Sequence, residues 1–374
     1  MDNSFTFKDV KKSNYSAIYH LIYQRGKLSK QEIAHQLQLS LPTVTQNLIR
    51  LENEKLIEKN GQFQSSVGRR ATAYAISPKA RISIGVEILK KKVVILAVDL
   101  LGHPFQHTTL TIDYADESSY YKGVSEAVQS FISSLDINQA QVLGIGFAVQ
   151  ALTSTDGQKI TYGKILNFTG LPINVFSQYL DYPCMFVHDA KGAATTELWV
   201  RDDIGDAVYL SIGTHLGGAI ILNDHIYMGK EGHSGTVEHM TINHDGPPCY
   251  CGKKGCMETY SSLSALLEGD ESLNFFFQQL RAEHPSYVKR WNTFLDNLAF
   301  SINNIHLVIN REFILGGHIS PYLEQKDLEI LHEKVYEKTA FPSKEPFIHI
   351  SRSPKNGVPI GAAIPFIQSF LNTI

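Results

Sequence analysis

Three cysteines, Cys249, Cys251 and Cys256, fall within eight residues, and His239 stands just upstream in the pattern His239-x9-Cys249-x-Cys251-x4-Cys256. Three thiolates and one imidazole make a closed tetrahedral donor set, which suits a structural Zn²⁺ rather than a catalytic ion with an open position. Gly246, Gly252 and Gly255 let the backbone turn tightly enough to bring such close ligands together. His233 and His244 are the other imidazoles near enough in sequence to compete for the nitrogen position. The fourth cysteine, Cys184, sits alone in an apolar run, and this uneven placement argues against a disulfide framework.

Such a site needs a folded body around it, and the composition provides one. The chain has 374 residues, 43% hydrophobic and 19% charged, enough for two or three domains with packed cores. No apolar run reaches the roughly 18 residues of a membrane span. The first thirty residues lack the basic, apolar and small-residue regions of a signal peptide. The expectation is a cytoplasmic protein with no membrane partner. Charge is divided unevenly, because residues 1–80 carry net +6 and the remainder net −9. A basic head on an acidic body suits a head that meets a polyanion.

The head reads as helices first. Ile18, Leu21 and Ile22 share one face of a helix that stops near Arg25-Gly26. Ser29 and Glu32 form a capping-box pair that opens a second helix carrying Ile33, Ala34 and Leu37 inward. After the turn Gln38-Leu39-Ser40, Ser40 caps a third helix over Ser40–Asn53, with Pro42 in its first turn. Val44, Leu48 and Leu51 form its apolar stripe, while Thr43, Thr45, Gln46, Asn47 and Arg50 face outward. Leu56–Glu58 and Ala73–Ile76 read as strands flanking a loop with Gly61, Gly68, Arg69 and Arg70. This is the pattern of a winged helix-turn-helix, and the alternative is a small protein-interaction domain with a solvated loop.

Ser77-Pro78 ends the head, and the texture changes. Arg81–Leu89 and Lys92–Leu100 form a predicted hairpin, followed by strand His107–Ile112, helix Ser118–Ser134 and strand Val142–Val149. The strand-like stretch Met185–Asp189, a helix from Ala190 to about Trp199, and the glycine-rich stretch Ala207–Asn223 come next. Helix Trp291–His306, strand and turn Phe313–Gly317, and a helix Ile360–Leu371 after Pro359 complete a two-lobed α/β body.

Within this frame, Cys249-Tyr250-Cys251-Gly252-Lys253-Lys254-Gly255-Cys256-Met257-Glu258 resembles the Cys-x-Cys-Gly-x-x-Gly-Cys-x-Glu signature of the ROK family of repressors and sugar kinases. With its winged head, the chain is similar to that family's sugar-responsive repressors, such as the xylose and N-acetylglucosamine regulators. The resemblance implies an α/β fold: residues 1–78 a winged helix-turn-helix, and 79–374 a two-lobed sugar-kinase-like ROK domain of actin/hexokinase type. It implies that Asp189 stands where the kinases hold their general base. Read alone, Asp189 is as readily a helix N-cap. By the same resemblance His239, also a zinc ligand, and Glu258 hydrogen-bond a sugar, and Asn167 is a further sugar contact. Gly213-Thr214-His215-Leu216-Gly217-Gly218 resembles the second phosphate loop, and Gly316-Gly317 the turn beside the adenosine.

Departures from the family pattern are as informative. The kinases carry Asp-x-Gly-Gly-Thr at the first strand turn, where glycine amides approach phosphates. Here the stretch is Glu87-Ile88-Leu89-Lys90-Lys91, so both glycines are replaced by side chains. No useful sugar kinase activity is expected, and Asp189 becomes a vestigial base. In Ser234-Gly235-Thr236-Val237-Glu238-His239, Thr236 stands where the family has a sugar-binding Glu, and Glu238 where it has Gly. His188 replaces the family's Asn. These swaps change which hydroxyls the ligand pocket of Asn167, His188, Asp189, Thr236, His239 and Glu258 can pair.

The resulting expectation is a non-enzymatic DNA-binding repressor of carbohydrate genes that senses a sugar or sugar derivative. Thr43, Thr45, Gln46, Asn47 and Arg50 would meet double-stranded DNA in the major groove, and Arg69 and Arg70 would grip its flank. One head covers one half-site, so a homodimer or tetramer on a pseudo-palindromic operator is implied. Two alternatives stand beside it: an active sugar kinase with a regulatory head, and a regulator controlled by a protein partner.

Overall fold

The computed structural model describes residues 7–63, 71–201, 203, 205–341 and 345–374. It opens with α1 (Phe7–Arg25), β1 (Lys27–Ser29), α2 (Lys30–Gln36), α3 (Leu41–Asn53), β2 (Ile57–Gln62) and β3 (Thr72–Ile76). Both helix starts expected from sequence form. The Ser29 hydroxyl accepts from the Glu32 amide while the Glu32 carboxylate accepts from the Ser29 amide, a reciprocal box. Ser40 accepts from the Thr43 amide at 3.3 Å. Val44, Leu48 and Leu51 are buried as their spacing requires. Leu28-Ser29 differs from expectation: before capping α2, it pairs as β1 with Ala73-Tyr74, giving a three-stranded sheet β1-β3-β2. Three residues are too few to show a strand period, so the sequence carried no sign of it. Arg69 and Arg70 lie outside the described residues.

The body has two five-stranded sheets. The first lobe contains β4 (Ile82–Leu89), β5 (Lys92–Asp99), β6 (Pro104–Thr111), α4 (Ser118–Ser134), β7 (Val142–Val149), β8 (Leu152–Thr153), β9 (Ile160–Tyr162), α5 (Asn174–Ser177) and β10 (Cys184–His188). Its main sheet runs β10-β7-β4-β5-β6, with the β4–β5 hairpin antiparallel and β4, β7 and β10 parallel. The continuous apolar runs in β4 and β7 follow from burial on both faces.

The second lobe contains α6 (Asp189–Val200), β11 (Ala207–Ile212), β12 (Leu216–Leu222), β13 (His225–Ile226), α7 (Glu258–Ser261), α8 (Leu263–Leu266), α9 (Leu273–Arg281), α10 (Pro285–Val308), β14 (Glu312–Gly316), α11 (Gln325–Tyr336) and β15 (Ile348–Ile350). Its sheet runs β13-β12-β11-β14-β15. The closing helix, α12 (Gly357–Thr373), returns to the first lobe and lies against both its sheet and α6. Glycine makes this approach possible. A Cβ on Gly85 of β4 would stand 1.8 Å from the Pro359 carbonyl oxygen, and one on Gly361 would stand 1.7 Å from that of Gly192.

α12 also joins head to body. Ile18, Tyr19 and Ile22 of α1 share one buried apolar cluster with Leu96 and Val98 of β5 and Ile360, Ile364 and Ile367 of α12. The Tyr23 hydroxyl donates to the Leu100 carbonyl at 2.6 Å. Burying each large aliphatic side chain contributes roughly 1.5–3 kcal/mol, so this docking is a core and not a loose tether.

Several boundaries move. α10 starts six residues before Trp291, because His284 and Pro285 supply an extended cap and a proline first turn ahead of the apolar stripe. α12 starts at Gly357, with Pro359 inside its first turn where its missing N–H costs nothing. β6 starts at Pro104, on an edge strand that tolerates proline. α9 and α11 are two further helices of the second lobe, packed by Phe276, Phe277, Leu328 and Leu331. Among the described residues, no helix is long and apolar enough to cross a membrane.

Candidate functional site

The cysteine loop closes on itself through short backbone bonds. Cys249 N–H donates to the Lys253 carbonyl at 2.8 Å, and Ile242 and Gly255 are joined by another at 2.8 Å. Gly255 has φ 64°, and a Cβ there would come 1.5 Å from the Asn243 carbonyl oxygen, so no larger residue fits. His239, Cys249, Cys251 and Cys256 bring their donor atoms within 4.8 Å of one another. Cys251 Sγ lies 3.6 Å from Cys256 Sγ, and Cys249 Sγ lies 3.8 Å from His239 Nδ1. A tetrahedral ion with bonds of about 2.3 Å sets neighbouring sulfurs roughly 3.8 Å apart, so the donors fit zinc without rearrangement. His233 and His244 are exposed and outside this set.

The loop ends in α7, whose first residue is Glu258, and its His239 end faces the cleft between the lobes. Glu258 is buried and fully engaged within the protein. The Leu216 amide donates to its Oε2 at 2.6 Å, and His215 Nδ1 lies 2.8 Å from its Oε1. His215 thus turns a loop residue into a clasp on the carboxylate. Asp189 begins α6 at the end of β10 and accepts from the adjacent Ala190 amide at 2.7 Å; the N-cap position itself is His188, with no side-chain cap bond, so Asp189 is not the cap that its sequence position alone allowed. Its pKa is pushed up to about 6, chiefly by burial. His188 is buried beside it, Nε2 lying 3.3 Å from Asp189 Oδ1, and burial holds its pKa down at about 3, so the ring is neutral.

Three residues in this cleft were not singled out as site residues from sequence. Glu238 is buried, and its Oε2 has no hydrogen-bond partner. Tyr250 and Tyr162 set their rings edge-on to His239, at 5.1 and 6.4 Å between centroids. Tyrosines between zinc ligands are an available signal, since Tyr250 lies inside the cysteine motif itself. Glu238 stood out only as a replacement for glycine. Together with Gln150, His188, Asp189, His215 and His239, these residues line a small cavity of about 40 Å³. That holds a water molecule or so, well short of the ~300 Å³ of a small-molecule pocket. A wider hollow of about 610 Å³, lined by Thr155, Tyr162, Glu231, His239 and Lys253, opens outside it.

The expected ligand residues separate accordingly. His188, Asp189 and His239 line the small cavity, and Glu258 supports its wall through His215. Asn167 is exposed in a left-handed turn, and the Thr236 hydroxyl donates to the His233 carbonyl at 2.9 Å; neither lines the cavity. In the first strand turn, Leu89 and Lys90 stand where the two phosphate-binding glycines were sought. Glu87 is next to them, its pKa pushed up to about 7 by burial and by the Asp189 carboxylate.

On α3 the outward residues differ in how free they are. Thr45 donates to the Leu41 carbonyl, Asn47 to the Thr43 carbonyl, and Thr43 lies 2.9 Å from the Ser40 hydroxyl. Arg50 pairs with Glu54 at 2.9 Å and lies over the Tyr15 ring. Gln46 is exposed.

Comparison with known proteins agrees with this architecture. Residues 83–364 match the ROK family. The chain is 30% identical over 264 residues to the xylose repressor of Bacillus spizizenii, covering 69% of this chain and 68% of that one. The fold is similar to a crystal structure of a ROK family transcriptional regulator described as a homolog of E. coli MLC protein. There the TM-score is 0.75 at 19% identity, over 97% of this chain and 96% of that one. A ROK family glucokinase from Streptomyces griseus, in complex with glucose and AMPPNP, aligns at TM-score 0.66 and 19% identity, over 76% of this chain and 98% of that one. The regulator's likeness extends through the head and the glucokinase's over about three quarters of the chain, on a common fold that alone decides no activity. With the family matched over residues 83–364, the chain belongs to the ROK family.

Proposed function

We propose that the protein is a DNA-binding repressor of carbohydrate genes, controlled by a sugar or sugar derivative bound in the cleft, with a structural zinc in the wall. The observation that carries this reading is the docked head. Helix α3 stands on a three-helix, three-stranded unit whose core is continuous with the body through α12. We take that unit, residues 1–78, as a winged helix-turn-helix and 79–374 as the effector-binding and oligomerising domain. In this reading Gln46, exposed on α3, reads a base edge, and Thr43, Thr45, Asn47 and Arg50 meet bases or phosphates beside it. Arg69 and Arg70 of the wing add contacts to the flank. A homodimer or tetramer on a pseudo-palindromic operator, in the cytoplasm, follows from one head per half-site.

The cleft supports sensing over catalysis. His188, Asp189, His239 and Glu258 give the pocket its polar walls, and Asn167 and Thr236 join it when the lobes rearrange around a ligand. Zinc on His239, Cys249, Cys251 and Cys256 would supply rigidity, holding the His239 ring and the start of α7 in register. Leu89 and Lys90 replace the glycines at the first phosphate turn, and His215 clasps Glu258 within the second loop. These two features favour a regulator over a sugar kinase. Ligand coupling to the head can be no larger than the difference in its affinity for the two lobe arrangements.

The test is a gel shift at fixed salt on the DNA upstream of the protein's own gene, against sugars, amino sugars and their phosphates. Release by one compound is expected. A specific shift that no sugar alters would move control to a protein partner, and no specific shift would overturn the repressor reading. Gln46→Ala should then weaken specific binding by about 1–3 kcal/mol.

A further inference from the structure

A further hollow adjoins the small cleft cavity, sharing His188 with it and Ser154 and Thr155 with the wider hollow outside. It encloses about 590 Å³ between β10, α6, β13 and the later turns of α12. That volume is in the ordinary range for small-molecule sites, and its walls combine apolar residues such as Phe186, Trp199 and Ile226 with a few polar groups. Neither the zinc loop nor Asp189 contributes to it.

Two of its polar groups are unusual. Lys191 is 3% exposed, yet its ammonium has a single hydrogen bond, to the Gly232 carbonyl at 2.5 Å. An ammonium carries three donors, and among the described residues no carboxylate lies within ion-pair distance of this one. Burial lowers its pKa only to about 8, with Glu238 opposing, so the charge persists at neutral pH. A buried cation without a counter-ion is costly, and a ligand that supplies one recovers that cost. His188 forms part of the same wall and is 6% exposed. Its Nε2 lies 3.3 Å from Asp189 Oδ1 and its Nδ1 is buried without a hydrogen-bond partner, in a side chain that lines both this hollow and the cleft cavity. With the Nε2 proton facing a carboxylate, Nδ1 presents a lone pair and accepts from a hydroxyl. Arg201, also in the lining, is already committed to Glu197 and Asp203, and Asp224 is the exposed carboxylate of the wall.

We infer that this hollow is a second effector site for a small hydroxylated organic anion, its carboxylate or phosphate on Lys191 and its hydroxyl on His188 Nδ1. The inference does not depend on the repressor reading, since it rests on the body alone. Pro365 and Gln368 of α12 line the hollow, and Ile364 and Ile367 of the same helix are buried in the cluster shared with the head. An occupant would therefore press on the helix that seats the head.

Trp199 is the natural reporter, because it lines the hollow while Trp291, the other tryptophan, is buried in the second lobe. The full-length chain is titrated with glycerol 3-phosphate, with glycerate, and with uncharged glycerol, following tryptophan emission. A saturable change is expected with at least one anion and none with glycerol; response to the phosphate alone or to both tells which anion the site takes. Lys191→Met should weaken that binding at least tenfold. Met228→Phe, which narrows the hollow and leaves Lys191 in place, should weaken it as well and decides the matter should Lys191→Met not fold. No saturable change with either anion, or affinities that neither variant alters, overturns the assignment.

Discussion

Two tight turns feed the same cleft, and this chain treats them in opposite ways. The cysteine loop keeps every glycine its geometry demands, Gly255 at φ 64° against the Asn243 carbonyl being the sharpest case. The first strand turn, between β4 and β5, carries Leu89, Lys90 and Lys91 where a phosphate would need bare backbone. One turn is built to hold side chains in fixed register, the other is filled by them. The difference teaches that rigidity of the pocket wall and approach of a phosphate are separable properties of one fold. A chain can retain the first while side chains fill the second, and this is the arrangement that the proposed sensor reading rests on.

The comparison breaks most visibly at the cysteine loop. Structural zinc contributes on the order of 10–16 kcal/mol of binding free energy in small zinc domains, so a lost ligand should matter. Cys251→Ser is expected to reduce bound zinc from one ion per chain to near zero by atomic emission. Because Cys251 lies at the surface-facing side of the loop, with Cys249 and Cys256 buried, the lobes should keep their cores. Ligand-induced protection against thermal unfolding should then disappear while far-UV circular dichroism is unchanged. A protein that keeps both its zinc and its ligand response without that thiol would remove the loop from the comparison.

The filled turn makes its own prediction through pH. Burial and the neighbouring Asp189 carboxylate raise Glu87 from 4.5 to about 7 in the folded protein. The folded chain therefore binds this proton more tightly than the unfolded chain between those values. Stability from that difference is fully present below pH 4.5 and is lost as pH rises through 7. Glu87→Gln should leave the melting temperature near pH 4.5 almost unchanged. Above pH 7 it should raise stability by up to about 3 kcal/mol, less where solvent screens the group. Equal pH slopes for variant and parent between 4.5 and 7 would show that the Glu87 carboxylate does not titrate as its burial requires.

What was legible beforehand divides along the same line. The cysteine motif, the Ser29–Glu32 box and the Val44–Leu48–Leu51 stripe are local rules, each satisfied within a dozen residues, and the structure follows them. β1 escaped because its reason is distant: Leu28 pairs with Tyr74, across more than forty residues. Glu238 could be seen as a departure and His215 as a member of the second glycine loop, but not as a buried carboxyl with an unpartnered oxygen and a clasp, since both depend on which strands and loops meet in space. Lys191 reads in sequence as an ordinary helical lysine. Only the packing of α6 against α12 and β12 takes it out of water.

The smallest expected effect is also the sharpest on the comparison itself. Leu89→Gly with Lys90→Gly returns to the strand turn the backbone freedom that a phosphate would use. Each glycine should cost roughly 0.5–1 kcal/mol through added entropy of the unfolded chain, so the melting temperature should fall slightly. If side chains at this turn were the whole obstacle, the double variant would bind ATP. Binding is instead expected to stay undetectable by calorimetry, because a second obstacle lies across the cleft. His215 sits inside the other glycine loop with its ring on Glu258 at 2.8 Å, and the cavity beside Asp189 holds only about 40 Å³. Adding His215→Gly to the double variant separates the two barriers. Nucleotide binding that emerges only in the triple variant would assign the closure to both turns acting together. Binding already present in the double variant would place it wholly at Leu89 and Lys90.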